Sequence, residues 1–354
     1  MAEKYNVLIL GASYGSLLAT KLLLAGHSVK LACLPSEAEI INAEGTVVRL
    51  PVRSIGETVE IASKNLPGNL AADSPDKINP GEFDIVALAM QEPQYRTAGA
   101  RELLDAVGKA KVPCMSIMNM PPLPYLRRVE SLSGAALEQC YADSKVWDAC
   151  EPELMTLASP DPQAFRPPGE QPNILQVGLP TNFKVAAFHN DAHTTILRNI
   201  EADIMAIRYE TPKGNVELPV KLKVHDSIFV PFAKWPMLIA GNYRCIGDDE
   251  MRPIKEAVHS DLEASREIYQ WVCALCETIG ADRGDMVPFE KYANAALGLL
   301  KPSSAARGLF GGAPFIERVD KLVQSIAARH GRQSDIVDEI VRRVDARSSL
   351  NRSS

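Results

Sequence analysis

The chain has 354 residues, 46% hydrophobic and 23% charged, which indicates a globular protein long enough for two domains rather than a disordered one. Its 38 basic and 44 acidic residues give a net charge of −6, which argues against nucleic acid or an anionic membrane surface as a partner. Seven irregularly spaced cysteines fit reduced thiols. Without a signal-peptide pattern or a long apolar run, we expect a cytoplasmic protein with no membrane association.

The N-terminal stretch has the pattern of a βαβ unit. Residues 5–10 are an apolar run that meets Gly11, as a buried parallel strand would. Residues 16–25 are rich in Leu and Ala, predict a helix, and end before Gly26. Residues 28–34 predict a second strand, which Pro35 ends.

The alternation of strands and helices continues downstream and predicts a parallel sheet with covering helices. We expect strands at 46–52, 58–62, 83–89 and 112–118, and a helix at 101–109. Residues 150–172, rich in Pro, Asp and Glu, predict a loop or excursion. Residues 173–188 and 205–224 are strand-like, the latter with a turn at 212–215.

After about residue 222 the pattern becomes helical. Helical spacing occurs at 227–245, 261–279, 287–300, 316–329 and 334–347, and the Ser/Arg-rich end at 348–354 predicts a frayed tail. The predicted fold is therefore α/β: a Rossmann domain at 1–220 followed by an all-helical domain at 221–354, which resembles the arrangement of 6-phosphogluconate dehydrogenases.

The glycine turn between the first strand and helix predicts a dinucleotide site. A helix N-terminus offers unpaired N–H groups and partial positive charge to a pyrophosphate, and glycines let the backbone approach it. We expect the cofactor at the turn formed by Gly11, Ala12, Ser13, Tyr14, Gly15 and Ser16. The turn departs from G-x-G-x-x-G because it lacks the second glycine and is one residue short.

The end of the second strand carries information on the cofactor. An Asp or Glu there would bind the ribose hydroxyls of NAD, and an Arg would favour NADP. Cys33 and Leu34 give neither signal, and the absence of an acid favours NADP. Glu37, just beyond, leaves NAD open.

With these features together, the chain resembles the ketopantoate reductase family over nearly its whole length, with an added segment between about 125 and 220. The strand at 83–89, followed by Gln91 and Gln94, is similar to the fourth strand and following loop of that family, where Lys usually stands at the position of Gln91. Asn119 matches an Asn that contacts the nicotinamide ribose or the substrate in the family.

The strongest part of the resemblance is the Lys-x3-Asn-x3-Asn pattern that opens the helical domain of the family. Lys234 and Asn242 match it, and Leu238 replaces the middle Asn. The resemblance implies that Lys234 is the catalytic acid, because an ammonium can stabilise and protonate the alkoxide formed from a ketone. It also implies that Asn119 and Asn242 orient the substrate or ribose, and Pro236 would start or loosen the helix just after Lys234.

Near the C-terminus, Ser304 and Glu317 resemble the substrate-binding Ser and Glu of the family. The implied function is reduction of a 2-oxo acid or related carbonyl compound by hydride transfer from NADPH, NADH not excluded, in a homodimer. Leu238 and Gln91 stand where the family has an Asn and a Lys, and the loss of these polar groups puts ketopantoate itself in question as the substrate.

Two alternatives stay open. Tyr141 and Lys145 have the Tyr-x3-Lys spacing of short-chain dehydrogenases, in which Lys lowers the pKa of a proton-donating Tyr. A non-catalytic dinucleotide-binding sensor would account for the departures at Ser13, Ser16, Gln91 and Leu238. We expect no metal: Cys273 and Cys276 lie in an apolar helical pattern, and His189 and His193 lack a third ligand.

Overall fold

In the computed structural model, which describes residues 3–353, the chain divides into two compact units. The first, here the N-terminal unit, comprises the chain through Met90, Gln94–Tyr125 and Lys145–Asp226. The second, here the helical unit, comprises Gln91–Pro93, Leu126–Ser144 and the chain from Ser227 onward. Two short stretches distant in sequence thus group with the C-terminal helices.

The chain as far as Asp226 alternates strands and helices. Its strands are β1 Asn6–Leu10, β2 Ser28–Ala32, β3 Val47–Val52, β4 Glu57–Ala62, β5 Leu70–Asp73, β6 Ile85–Leu88, β7 Cys114–Ile117, β8 Met155–Ser159, β9 Gln163–Phe165, β10 Ile174–Leu179, β11 Phe183–Ala186, β12 Tyr209–Thr211, β13 Gly214–Val216 and β14 Leu222–His225. Its helices are α1 Ala12–Leu24, α2 Pro35–Glu44, α3 Ala100–Ala110, α4 Leu123–Leu126 and α5 Asp191–Ala206.

An eight-stranded sheet in the order β14-β11-β8-β7-β6-β1-β2-β5 forms the centre of the N-terminal unit. The strands from β5 to β8 are mutually parallel, and β11 joins β8 antiparallel. Strands β1, β6 and β7 are apolar because both faces of the sheet are covered. The chain crosses from β1 to β2 on one side and returns to β6 on the other, so the turn after β1 lies at a topological switch point.

A second sheet, in the order β4-β3-β10-β9, combines strands from before and after the main parallel run. Strand β3 pairs with β4 antiparallel and with β10 parallel, and β9 closes the edge against β10. This small sheet packs against α1. The predicted strands at 46–52 and 58–62 are confirmed, and they lie in this second sheet.

One prediction in the middle of the chain is wrong. The expected loop at 150–172 contains β8, which is fully buried between β7 and β11, together with edge strand β9. The sequence pattern does not predict strand β8, because acidic residues and prolines surround its five apolar or small residues. Its conformation depends instead on burial by the neighbouring strands. The strand-like stretch at 205–224 is confirmed, since it contains β12, β13 and β14 with a turn between β12 and β13, although its first two residues still belong to α5.

From Lys234 onward the described elements are helices. They are α6 Lys234–Met237, α7 Ile254–His259, α8 Leu262–Thr278, α9 Phe289–Ala296, α10 Ser304–Phe310, α11 Val319–Arg329 and α12 Asp335–Ser353, with a π-helical turn at Leu238–Asn242 directly after α6. The predicted fold class, a Rossmann domain followed by a helical domain, is confirmed. None of the helices in residues 3–353 is long and apolar enough to cross a membrane.

The predicted frayed tail at 348–354 is wrong for the residues that the structure describes. Helix α12 continues to Ser353, and Ser348 is buried. The Asn351 amide donates two hydrogen bonds of 2.8 Å, to the carbonyl oxygens of Leu309 and Ala313. Long-range contacts therefore order a polar segment that has little hydrophobic signal of its own, and Ser354 lies outside the described residues.

Candidate functional site

The glycine turn begins with Gly11, whose conformation only glycine adopts readily. Its φ is +105°, and its N–H donates a 3.0 Å hydrogen bond to the Ala32 carbonyl. A Cβ at this position would lie 2.6 Å from Cγ of Met90 and 3.1 Å from the Ala89 carbonyl oxygen. Gly11 is thus required by the backbone conformation and by the end of β6 beside it.

Gly15 lies in the first part of α1 and serves helix–strand packing. A Cβ there would lie 2.6 Å from Cγ2 of Ile9 in β1 and 3.3 Å from Cβ of Ala89. The two glycines therefore fill two of the three roles that glycines have in dinucleotide turns, the tight turn and the close packing. The third role, close approach of the backbone to a pyrophosphate, falls at half-buried Ser13.

The side chains of Ala12, Tyr14 and Ser16 serve the fold. Ala12 is buried, and the buried Ser16 hydroxyl donates to the Ala12 carbonyl. The Tyr14 hydroxyl donates a 2.7 Å hydrogen bond to the Pro162 carbonyl. Burial, reinforced by Asp161, raises the Tyr14 pKa well above its usual value.

The start of α1 nevertheless fits an anion. Helix α1 begins at Ala12, earlier than residue 16 as predicted, so its first N–H groups follow Gly11 directly. No side chain caps them, and the first turn carries no acidic residue. Uncapped N–H groups with the positive end of the helix dipole suit a pyrophosphate.

Asn119 and Gln91 follow neighbouring strands at the carboxyl edge of the main sheet. Asn119 is half-buried, two residues after β7, and Gln91 is exposed, three residues after β6. Because β1, β6 and β7 are parallel neighbours, the carboxyl end of β7 lies at the same edge as the glycine turn.

In the helical unit, Lys234 is the first residue of α6, and Pro236 lies in the first turn, where its missing N–H is tolerated. The π-helical turn that follows absorbs one extra residue. Eight residues of regular α-helix would rotate Asn242 about 80° away from Lys234; with one residue absorbed, the offset falls to about 20°. The π turn therefore brings Lys234 and Asn242 onto one face.

The burial pattern agrees with this geometry. Within residues 234–242 only Lys234, Met237 and Asn242 are partly exposed, and the other six residues are buried. Leu238, at the position of the missing middle Asn, is 3% exposed and belongs to the packed side.

Tyr292 and Gly241 support the π turn. The Tyr292 hydroxyl donates a 3.0 Å hydrogen bond to the Met237 carbonyl. A Cβ on Gly241 would lie 2.0 Å from that hydroxyl oxygen, so only glycine allows the contact. Sequence reasoning missed both residues, because nothing local connects a tyrosine in α9 with a turn 55 residues earlier.

Asn242 is tied to the later helices through its backbone. The buried Ser303 hydroxyl donates a 2.7 Å hydrogen bond to the Asn242 carbonyl and caps α10 by accepting from the Ala306 N–H at 3.1 Å. Ser304, the predicted substrate-binding residue, is the exposed neighbour. Ser303 was missed because adjacent serines cannot be distinguished without the cap geometry.

Glu317 is also brought close to this helical run. It is 6% exposed, and its carbonyl accepts from the Tyr243 hydroxyl, which in turn accepts from the Val319 N–H at 3.0 Å. The residue after Asn242 is therefore bonded to the backbone at Glu317. The structure thus gathers Asn242, Ser303 and Glu317 around the end of the π turn.

The Tyr141–Lys145 alternative does not have the geometry of a short-chain dehydrogenase. Tyr141 follows one 3₁₀ turn and Lys145 lies in the next, so the two do not share a helix. Burial, followed by Glu92, raises the Tyr141 pKa well above its usual value, opposite to what that chemistry needs. Among residues 3–353 no group of three or more His, Cys, Asp and Glu side chains is placed to hold a metal ion.

Comparison with known proteins gives a fold relationship. No protein-family model matches the sequence, and no curated protein matches it. The 2-dehydropantoate 2-reductase of Methylococcus capsulatus has a similar structure, with TM-score 0.67 and 13% identity over 97% of this chain and 98% of that one. D-mandelate dehydrogenase in complex with NADH and anilino(oxo)acetate has TM-score 0.63 and 12% identity, covering 98% and 99%.

A dimeric ketopantoate reductase of Staphylococcus aureus has TM-score 0.60 and 10% identity, covering 98% of this chain and 99% of that one. The chain therefore has the fold of ketopantoate reductases over 97–98% of its length. At this level of identity the similarity establishes fold.

Proposed function

We propose that the chain is an NAD(P)H-dependent reductase of a 2-oxo acid or related carbonyl compound, a distant relative of the ketopantoate reductases. The observation that carries the proposal is the partly exposed pair Lys234 and Asn242, aligned by a π turn on a helical run that is buried except at these two residues and Met237. Turns of this kind are frequent at functional sites because they re-aim side chains at a cost in helix geometry. The fold shared with two groups of oxo-acid oxidoreductases supports it.

In this proposal the uncapped N–H groups at the start of α1, with Ser13, bind the pyrophosphate of the cofactor. The nicotinamide, when bound, supplies the hydride. Asn119 and Gln91 contact the cofactor from the carboxyl edge of the sheet, and the preferred cofactor is NADPH.

Lys234 then acts on the substrate oxygen. Reduction of a carbonyl places negative charge on oxygen, and the Lys234 ammonium stabilises that charge and donates the proton. Asn242 orients the same oxygen or the neighbouring carboxylate, and Ser304 and Glu317 contribute to substrate binding. Leu238 lies on the packed side of the run, so the polar contact that the middle Asn of the family pattern would make is absent here.

One structural neighbour and the cysteines also support a homodimer and a cytoplasmic location for the proposed enzyme. The Staphylococcus aureus ketopantoate reductase is described as dimeric. The seven cysteines are all free thiols, which is consistent with a reducing compartment.

Substitution of the lysine tests the proposal directly. Oxidation of NADPH and NADH is measured with a panel of 2-oxo acids for the wild type, Lys234→Ala and Lys255→Ala, the last an exposed lysine on α7. We expect kcat/KM to fall at least about a hundredfold in Lys234→Ala and to stay unchanged in the control, with cofactor affinity unaffected.

Each alternative predicts a different result. Unchanged turnover in Lys234→Ala would refute the acid role. Cofactor binding without turnover on any carbonyl compound would identify a sensor. Absence of dinucleotide binding would refute the proposed function altogether.

A further inference from the structure

The carboxyl end of β2 lies beside the glycine turn, because β1 and β2 are parallel neighbours. Helix α2 starts here at Pro35, and Leu34 just before it is 66% exposed. In a sheet of this topology the ribose of a bound dinucleotide is recognised at the end of the second strand. Cys33 and Leu34 carry no charge, so other side chains must recognise it.

Arg166, which follows strand β9, supplies a charge at this place. Its Nη1 lies 2.5 Å from Oε1 of Glu37, in the first turn of α2. The two side chains are 31% and 17% exposed, so the pair is half-buried but reachable from solvent. Nε of Arg166 is buried and has no hydrogen-bond partner among the described residues. A guanidinium has five N–H donors, so the partly exposed side chain keeps donors beyond its bond to Glu37, apart from the buried Nε.

The segment that carries Arg166 also contacts the glycine turn. Pro162, four residues earlier, accepts the 2.7 Å hydrogen bond from the Tyr14 hydroxyl. Residues 162–166 therefore contact the start of α1 through Pro162 and the start of α2 through Arg166. These are the two places that contact the pyrophosphate and the ribose in a dinucleotide-binding fold.

The charges around the end of β2 are balanced. Lys30 and Asp73 form a second pair at 2.6 Å on the adjoining strands β2 and β5. Burial raises the pKa of the Cys33 thiol to about 12. The charges of Glu37, Arg166 and Asp73 also act on this thiol. An acid that can accept from ribose hydroxyls and a base that can bind a phosphate therefore lie together.

We propose that Arg166 and Glu37 form a cofactor selector, in which Arg166 binds the 2′-phosphate of NADPH and Glu37 limits that binding. The inference rests on the proposed function, since it assigns residues to the cofactor of the same site. A guanidinium binds phosphate through several N–H donors, whereas the adjacent carboxylate repels it and competes for the same donors. The two residues therefore act in opposite directions on the choice between NADPH and NADH.

Dissociation constants for NADPH and NADH, measured by nucleotide fluorescence, test the selector in the wild type, Arg166→Gln and Glu37→Gln. We expect Arg166→Gln to weaken NADPH about ten- to hundredfold and to leave NADH nearly unchanged. Glu37→Gln should shift the ratio the other way, with tighter NADPH and equal or weaker NADH. Calorimetric binding of 2′,5′-ADP and 5′-AMP gives the same comparison without catalysis, and only 2′,5′-ADP should respond to Arg166→Gln.

Arg49→Gln is the matched control. Arg49 lies on β3 of the same small sheet, is 29% exposed, and pairs with Glu60 and Glu170, so the substitution removes an equal charge elsewhere. Circular dichroism verifies folding, and Glu37→Gln keeps the test decisive if Arg166→Gln fails to fold.

The results separate the two proposals. An unchanged NADPH/NADH ratio in both variants, or shifts in the same direction, would overturn the selector while leaving the reductase proposal intact. A wild type that binds no dinucleotide would refute the proposed function, and the selector with it.

Discussion

At the scale of single residues, buried contacts decide which side chains are replaceable. A Cβ on Gly15 of α1 would lie 2.6 Å from Cγ2 of Ile9 in β1, closer than two carbon atoms can approach. We expect Gly15→Ala to lower the free energy of unfolding by about 1–3 kcal/mol, because overpacking displaces the helix from the sheet. Urea denaturation measures this free energy of unfolding. Gly284→Ala is the control, because a Cβ on Gly284 would meet nothing within 4 Å. Equal stability of the two variants would contradict this packing role.

Lys21 in α1 makes stability depend on pH. It is 1% exposed, donates a 2.9 Å hydrogen bond to the Pro219 carbonyl, and has its pKa lowered to about 7 by burial and then by Lys221. Between this pKa and the unfolded value of 10.5, the unfolded chain binds the proton more tightly than the native protein. The contribution of Lys21 to stability therefore rises with pH across that window, by at most about 1.4 kcal/mol per pH unit.

Lys21→Met removes the contribution of Lys21 to the pH dependence of stability. The difference between this variant and the wild type therefore excludes the contribution of thiols that titrate in the same pH range. We expect Lys21→Met to be the more stable protein near pH 7 and its advantage to shrink as the pH rises to 9. Denaturation curves of both proteins at several pH values provide the measurement. A difference that is constant or grows with pH would contradict the depressed pKa.

At the scale of elements, the π turn at Leu238–Asn242 depends on one contact between distant helices. In Gly241→Ala the new Cβ would meet the Tyr292 hydroxyl, 2.0 Å away, whereas the ring carbon Cζ is 3.3 Å away. We expect Gly241→Ala to lose stability and turnover, and Tyr292→Phe to cost about 1 kcal/mol and lower kcat more than it changes cofactor affinity.

The double variant Gly241→Ala/Tyr292→Phe should recover part of the stability lost in Gly241→Ala, since the clashing oxygen is gone. Denaturation of the four proteins forms a double-mutant cycle that measures the coupling. Additive effects would show that the hydroxyl and the glycine are independent.

Helix α12 gives a second prediction at this scale. The Asn351 amide donates to two carbonyl oxygens, of Leu309 and Ala313, whereas the exposed Ser353 hydroxyl donates to the Ser349 carbonyl of its own helix. Asn351→Ala should lower the free energy of unfolding by about 1–3 kcal/mol and Ser353→Ala by less than about 0.5. A neutral Asn351→Ala would mean that the end of α12 is not anchored as the contacts indicate.

At the scale of the whole molecule, the proposed enzyme should be stabilised by its cofactor. A ligand that binds the native state alone adds about 2.7 kcal/mol at a free concentration of one hundred times Kd. We expect NADPH to raise the denaturation midpoint more than NADH does, and light scattering to give twice the chain mass. Absence of stabilisation by either nucleotide would contradict cofactor binding, and a monomer mass would contradict the dimer.

The sequence by itself determined the features that depend on local chemistry. The apolar run before Gly11, the helix after it and the helical periodicity beyond residue 227 fixed the fold class, because near neighbours in the chain decide these patterns. The same local pattern placed the glycine turn between strand and helix. Lys234 and Asn242 were predicted from the resemblance to the Lys-x3-Asn-x3-Asn pattern, and on a regular helix that spacing would leave them about 80° apart.

Only the tertiary structure decided the features made by residues far apart in sequence. Strand β8 forms because β7 and β11 pair with it, and α12 extends to Ser353 because Asn351 finds carbonyl partners near α10. The π turn is supported by Tyr292, and Arg166 reaches Glu37 across 129 residues. Such contacts depend on the free energy of burial and pairing between elements, which no local pattern of side chains records.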